Sequence, residues 1–203
     1  MFYSIRVMKK VLFIITHLGS GSFELFNSLI KVPSIDGFKM DISYRHPDDL
    51  KLLTKNIHKK NDASAIYMDE LLYNHSLLSK KLAKFCNLIY LVREPKSTLN
   101  KIIADNPSYS LESAARYYCY RLRGILEYYR KVSVKCPFLK WENISEDKKS
   151  IESYLGLETS LEISSDEYVD HNLDYKILLN CQERYDHYLF QMRRIRNFLI
   201  ETS

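Results

Sequence analysis

From Val11 to Thr16 the chain runs Val-Leu-Phe-Ile-Ile-Thr without a polar break, and within three residues it turns through Gly19-Ser20-Gly21-Ser22. A short apolar run that does not alternate, rich in β-branched residues, suits a strand covered on both faces, which is the habit of parallel sheets packed between helices. Phe23 to Ile30 follows with apolar residues at helical spacing, up to Pro33. Strand, Gly-Ser loop, helix is therefore the unit around which the rest must be arranged. The chain has only five glycines in 203 residues, and two of them lie in this loop.

The downstream pattern repeats the alternation. Ser64 to Met68 reads as a second strand, Leu71 to Phe85 as an amphipathic helix and Leu88 to Val92 as a third buried strand. The third strand ends at Arg93-Glu94-Pro95, where proline stops a strand and can open a helix at its first turn. A long helix is predicted over Leu111 to Val132 with its cap at Ser110, then a short fourth strand over Pro137 to Trp141, then a helix over Ser145 to Tyr154 closed by Gly156. The tail from Leu173 to Ile200 has a helical pattern, and Ile177, Leu178, Tyr185, Leu189, Met192, Ile195 and Leu199 are its apolar positions, expected to pack on the body. This predicts an α/β fold with a mainly parallel central sheet and helices on both faces. The length, at about 100–200 residues per domain, fits one domain spanning 1–203 with a helical C-terminal extension from about 165.

Thirty Lys and Arg against twenty-five Asp and Glu give a formal net charge of +5, a mild excess that favours an anionic ligand without calling for nucleic acid. Arg193-Arg194-Ile195-Arg196, the densest basic cluster, falls at the end of a helical pattern and reads as a solvated helix end. Cys86, Cys119, Cys136 and Cys181 are widely spaced, and the six histidines form no ligand motif, so reduced thiols and no metal are expected. The apolar run after Lys9-Lys10 is too short for a signal peptide, and nothing approaches a membrane span. The expectation is a cytoplasmic protein with no membrane or nucleic-acid partner. Its oligomeric state is open.

In the loop, glycine lets the backbone turn tightly and approach a ligand, while loop and helix N–H groups and the helix dipole favour negative charge. Gly19 to Phe23 thus fits an anion-binding loop, and fits a bare flexible turn equally well. A triphosphate-binding P-loop needs Lys after the last glycine, where this chain has Ser22, and a dinucleotide fingerprint needs a glycine where it has Glu24.

Thr16-His17-Leu18-Gly19-Ser20-Gly21-Ser22-Phe23-Glu24-Leu25 resembles the 5′-phosphosulfate loop of sulfotransferases that use 3′-phosphoadenosine 5′-phosphosulfate (PAPS). Leu88 to Lys96, a strand running into Arg93-Glu94-Pro95-Lys96, is similar to the family's Arg-x-Pro-Lys/Arg segment, and Leu139-Lys140-Trp141-Glu142-Asn143-Ile144 with Ile151 to Leu157 is similar to its Tyr-Glu-Asp-Leu and Phe-Leu-Gly-Leu segments. The three similarities occur in order and cover about residues 10 to 157.

The resemblance implies a P-loop-like sulfotransferase that moves a sulfuryl group from PAPS to a hydroxyl or amine of a small-molecule or glycan acceptor. It implies that backbone N–H groups of Gly19, Ser20, Gly21, Ser22 and Phe23, with the two serine hydroxyls, cradle the phosphosulfate. It implies that Arg93 grips the 3′-phosphate with Lys101 nearby. Read without it, Arg93 is a surface arginine beside a proline turn and Lys101 a solvated helix lysine. Family members usually carry Lys or Arg where this chain has Gly19; His17, Lys101 and Lys96 are the candidates to replace that cation. The base that accepts the acceptor's proton corresponds to Glu70 first, with Asp69 and His75 in reserve; Asp69 also suits a helix N-cap and His75 a partly buried helix position. Glu142 is expected to serve as a structural hydrogen-bonding group, Trp141 as a core anchor, and the tyrosines around Arg121 as packing. Residues 35–61 and the tail after Leu157 are the expected acceptor walls. The other reading, prompted by Gly19, is a catalytically silent member of the fold that binds a nucleotide or a protein partner.

Overall fold

The computed structural model describes residues 11–32, 65–69, 86–132, 136–164 and 170–201. Among the described residues four strands form one parallel sheet: β1 (Val11–Ile15), β2 (Ala65–Asp69), β3 (Asn87–Val92) and β4 (Phe138–Lys140), in the spatial order β2-β1-β3-β4. The helices are α1 (Ser22–Leu29), α2 (Pro95–Asp105), α3 (Leu111–Val132), α4 (Ile144–Leu155) and α5 (Tyr175–Glu201), and a 3-10 turn over Trp141–Asn143 joins β4 to α4.

The unbroken apolar run of β1 explains its place. With partners on both edges and layers on both faces, Leu12, Phe13, Ile14 and Ile15 are essentially inaccessible to water. Burying an aliphatic or aromatic side chain contributes about 1.5–3 kcal/mol, so this strand is the centre of the fold. Its residues alternate between two cores, as the pleat dictates. Phe13 and Ile15 join Leu88, Tyr90 and Val92 beneath α2, α3 and α5, while Leu12 and Ile14 join Ile89 and Leu91 beneath α1 and α4. Helices thus cover both faces of a parallel sheet, as the alternation of elements predicts. Among the described residues no helix is long and apolar enough to cross a membrane.

Local chemistry sets the helix ends. Glu94 caps α2 by accepting the backbone N–H groups of Lys96 and Ser97, with Pro95 in the first turn where its missing N–H costs nothing. Ser110 caps α3 by accepting the Ser113 N–H, and Gly156 ends α4 in a left-handed conformation, φ 69°. The predicted β4 is cut short because Trp141 already belongs to the 3-10 turn. On α5, Tyr185 and Met192 are buried and Ile177, Leu178, Leu189 and Ile195 pack against the same core as α3, as expected for a tail that folds onto the body. The expected helix over Leu71 to Phe85, Glu70, His75, the Leu199 side chain and the 35–61 segment lie outside the described residues.

Candidate functional site

The carboxyl ends of β1 and β3 lie side by side, Ile15 abreast of Tyr90, so the loop leaving β1 meets the residues that follow β3. On the other side Ile15 is abreast of Asp69, whose backbone therefore stands at the same edge of the sheet. Ligands of open parallel sheets bind at such carboxyl edges, where neighbouring connections diverge.

The loop is held from three directions. His17 is fully buried; its Nδ1–H donates to the Leu18 carbonyl at 2.9 Å and its Nε2 accepts the Arg93 backbone N–H at 3.0 Å. Because Nε2 accepts, the ring is the neutral Nδ1–H tautomer. Burial, with the charges of Arg121 and Arg93 adding to it and the Leu18 bond opposing, pulls its pKa down to about 3. His17 is therefore uncharged at neutral pH and fastens the β1 loop to the end of β3; it supplies no cation there.

The second hold comes from α3. Tyr117 accepts the Leu18 N–H at 2.8 Å, buried Tyr118 donates its hydroxyl to the Arg93 carbonyl at 2.8 Å and packs edge-on against His17, and buried Arg121 donates Nε–H to the Thr16 carbonyl at 2.6 Å. Positions 117, 118 and 121 share a face through i+3 and i+4 spacing. That spacing was the available signal that these were more than packing groups, and it took the fold to show which backbone atoms they reach. Arg121→Met, which keeps the bulk, leaves the buried Thr16 carbonyl without its charge-assisted partner; a loss of about 2–3 kcal/mol is expected in urea unfolding, and a loss below 0.5 kcal/mol would show that the carbonyl is satisfied otherwise.

The third hold is internal. Thr16 donates its hydroxyl to Ser20 Oγ at 2.5 Å, Ser20 Oγ also accepts the Ser22 N–H at 3.3 Å, and the Ser20 N–H bonds the His17 carbonyl at 3.3 Å. Ser20 and Ser22 are both buried. Gly21 is the N-cap of α1 and brings no side chain to it. The N–H groups of Gly19, Gly21 and Phe23 have no acceptor among the described residues. The Phe23 ring is exposed at the rim.

The two glycines are explained first by the protein itself. Gly19 and Gly21 have φ of 72° and 84°, where a side chain is strained. A Cβ at Gly21 would lie 2.3 Å from the Trp141 ring, and one at Gly19 would lie 2.9 Å from the Thr98 carbonyl oxygen and 3.2 Å from Lys101 Cβ. Close approach of backbone to Trp141 and to α2 thus requires glycine whether or not a ligand also approaches. Trp141 is buried, as expected of a core anchor, and its partner is the loop.

Two cationic side chains flank Gly19. Arg93, buried apart from an edge, directs Nη1–H to the Gly19 carbonyl at 3.4 Å with its guanidinium 5.9 Å from the centre of the Trp141 ring. It is a buried arginine of the loop wall and not a surface one. Lys101 packs its stem at Gly19 and pairs its ammonium with Asp105 at 3.2 Å, a quarter exposed. Lys96 points elsewhere, pairing with exposed Asp170 at 3.0 Å. Glu142 accepts the Glu94 N–H at 2.7 Å and the Tyr185 hydroxyl at 3.3 Å, the structural hydrogen-bonding role its position suggested. Of the three candidate bases the structure describes only the Asp69 backbone, at this edge of the sheet. The assembled site offers an anion three loop N–H groups without an acceptor among the described residues and two flanking cations. No family model and no curated protein matches this chain.

Proposed function

We propose that the loop between β1 and α1 binds the 5′-phosphosulfate of PAPS, within a P-loop-like sulfotransferase architecture, and that the protein transfers the sulfuryl group to a hydroxyl or amine of a small-molecule or glycan acceptor. The observation that carries the reading is the convergence of Arg93 from the end of β3 on a glycine loop whose Gly19, Gly21 and Phe23 N–H groups have no acceptor among the described residues. Bound PAPS would supply the sulfuryl group and depart as 3′-phosphoadenosine 5′-phosphate. The loop amides hold the phosphosulfate, and the Arg93 fork, fixed through its backbone by His17 and Tyr118, pairs with the 3′-phosphate. The strained backbone and crowding at Gly19 leave no room for a loop lysine, so charge on the departing oxygen falls to Lys101, whose stem already occupies that side. Glu70, with Asp69 and His75 as substitutes, takes the acceptor's proton.

The crowding at Gly19 also favours a second reading, a silent member of the fold that binds a nucleotide or a protein partner without turnover. Release of 3′-phosphoadenosine 5′-phosphate from PAPS across a panel of alcohols, phenols, amines and glycans separates the two. The first reading expects turnover that falls about a hundredfold in Lys101→Ala and disappears in Glu70→Gln. Binding without turnover leaves the second.

A further inference from the structure

Behind the loop, α3 and α5 pack against each other along their length, and each brings one cysteine to the seam. Cys119 Sγ and Cys181 Sγ are 3.7 Å apart although 62 positions separate them in sequence. Cys181 is buried, whereas half-buried Cys119 lines a cleft of about 390 Å³ between the two helices, together with Arg123, Arg184 and His187. Cys119 thus lines a cleft open to small solutes, shared with two arginines, Glu183 and His187, and Cys181 waits directly behind it. We infer that Cys119 and Cys181 are a peroxide-reactive pair that closes reversibly into a disulfide across α3 and α5. This inference is independent of what the loop binds.

The two thiols are not equivalent. The hydrogen bond with Cys181 lowers the Cys119 pKa, with Arg184 assisting, while the same bond and burial push Cys181 up. Cys119 is the nucleophile by exposure and charge, and Cys181 the resolving thiol. With hydrogen peroxide as oxidant, the Cys119 thiolate attacks one peroxide oxygen, the O–O bond breaks and hydroxide leaves, giving a sulfenic acid. Cys181 sulfur then attacks Cys119 sulfur; the S–S bond forms, the S–O bond breaks, and the departing hydroxide takes up the Cys181 proton. Two thiols and one peroxide become one disulfide and two waters, the sulfur pair giving up two electrons. The sulfurs, 3.7 Å apart, must close by about 1.7 Å to reach bonding distance. Burial pushes the Cys136 thiol up to about 12, and Cys86 is buried. The bond would staple the helix bearing Tyr117, Tyr118 and Arg121 to the helix bearing Tyr185, both of which hold the loop or its neighbours.

The test is peptide mapping of the full-length reduced protein after treatment with equimolar hydrogen peroxide, without reduction before digestion. The expected result is a Cys119–Cys181 linked peptide pair, lighter by two hydrogens than the separate peptides and cleaved by dithiothreitol, with Cys86 and Cys136 still open to alkylation. In Cys181→Ser, Cys119 should stop at a sulfenic acid that dimedone labels; in Cys119→Ser, Cys181 should remain an unlabelled thiol. Recovery of both cysteines as free thiols, linkage through Cys86 or Cys136 instead, or labelling of Cys181 ahead of Cys119 would overturn the inference.

Discussion

Gly21→Ala is expected to destabilise the protein by about 2–5 kcal/mol. A side chain at φ 84° carries a backbone cost of roughly 1–2 kcal/mol, and the new methyl would lie 2.3 Å from the Trp141 ring. That ring is buried with the Arg93 guanidinium beside it, so overpacking adds about 1–3 kcal/mol. Trp141 is the single tryptophan of the chain, so its emission reports on the loop directly during urea unfolding. In a Trp141→Leu background, followed by circular dichroism, the alanine should cost much less, because the steric part is removed and the backbone part remains. A Gly21→Ala protein within 0.5 kcal/mol of wild type would mean that the indole does not hold the loop.

The second large effect is on acid stability. In the native protein His17 stays neutral down to about pH 3, whereas in the unfolded chain it titrates near its ordinary value of 6.5. Between those values the unfolded state binds a proton that the native state refuses, so stability falls as pH falls. The contribution is complete above pH 6.5 and declines toward pH 3, by at most about 1.4 kcal/mol per pH unit and about 5 kcal/mol in all. Carboxylates titrate in the lower part of the same range, so the informative quantity is the difference from His17→Gln. That variant should be less stable at pH 7, where it loses the fit of the imidazole between Leu18 and Arg93, and its stability should fall less steeply from pH 6.5 downward. Parallel profiles for the two proteins would show that His17 is not held neutral by the fold.

Much of the framework was legible because its signals are local. The apolar run of β1, Ser110 before α3 and Gly156 after α4 each act within a few residues of where they stand, and the elements lie where those residues put them. The Arg93 segment was legible as a strand ending at proline, and Pro95 does open a helix. What the sequence could not disclose depends on partners far along the chain. Tyr117 reaches Leu18 across 99 positions and Arg121 reaches Thr16 across 105, so periodicity showed a helix face and not its targets. The same distance hid the meaning of the loop glycines, which looked like room for a ligand and are also room for Trp141 and Thr98. His17 looked like a spare cation because its charge depends on burial, which adjacent residues do not reveal.

Calorimetric titration with 3′-phosphoadenosine 5′-phosphate tests the anion site most directly, with folding of each protein checked by Trp141 emission. Saturable binding is predicted, weakened about tenfold or more in Arg93→Ala, the range expected for a lost charge-assisted hydrogen bond. No binding to the folded wild-type protein at high micromolar nucleotide, or binding indifferent to Arg93→Ala, would contradict the account.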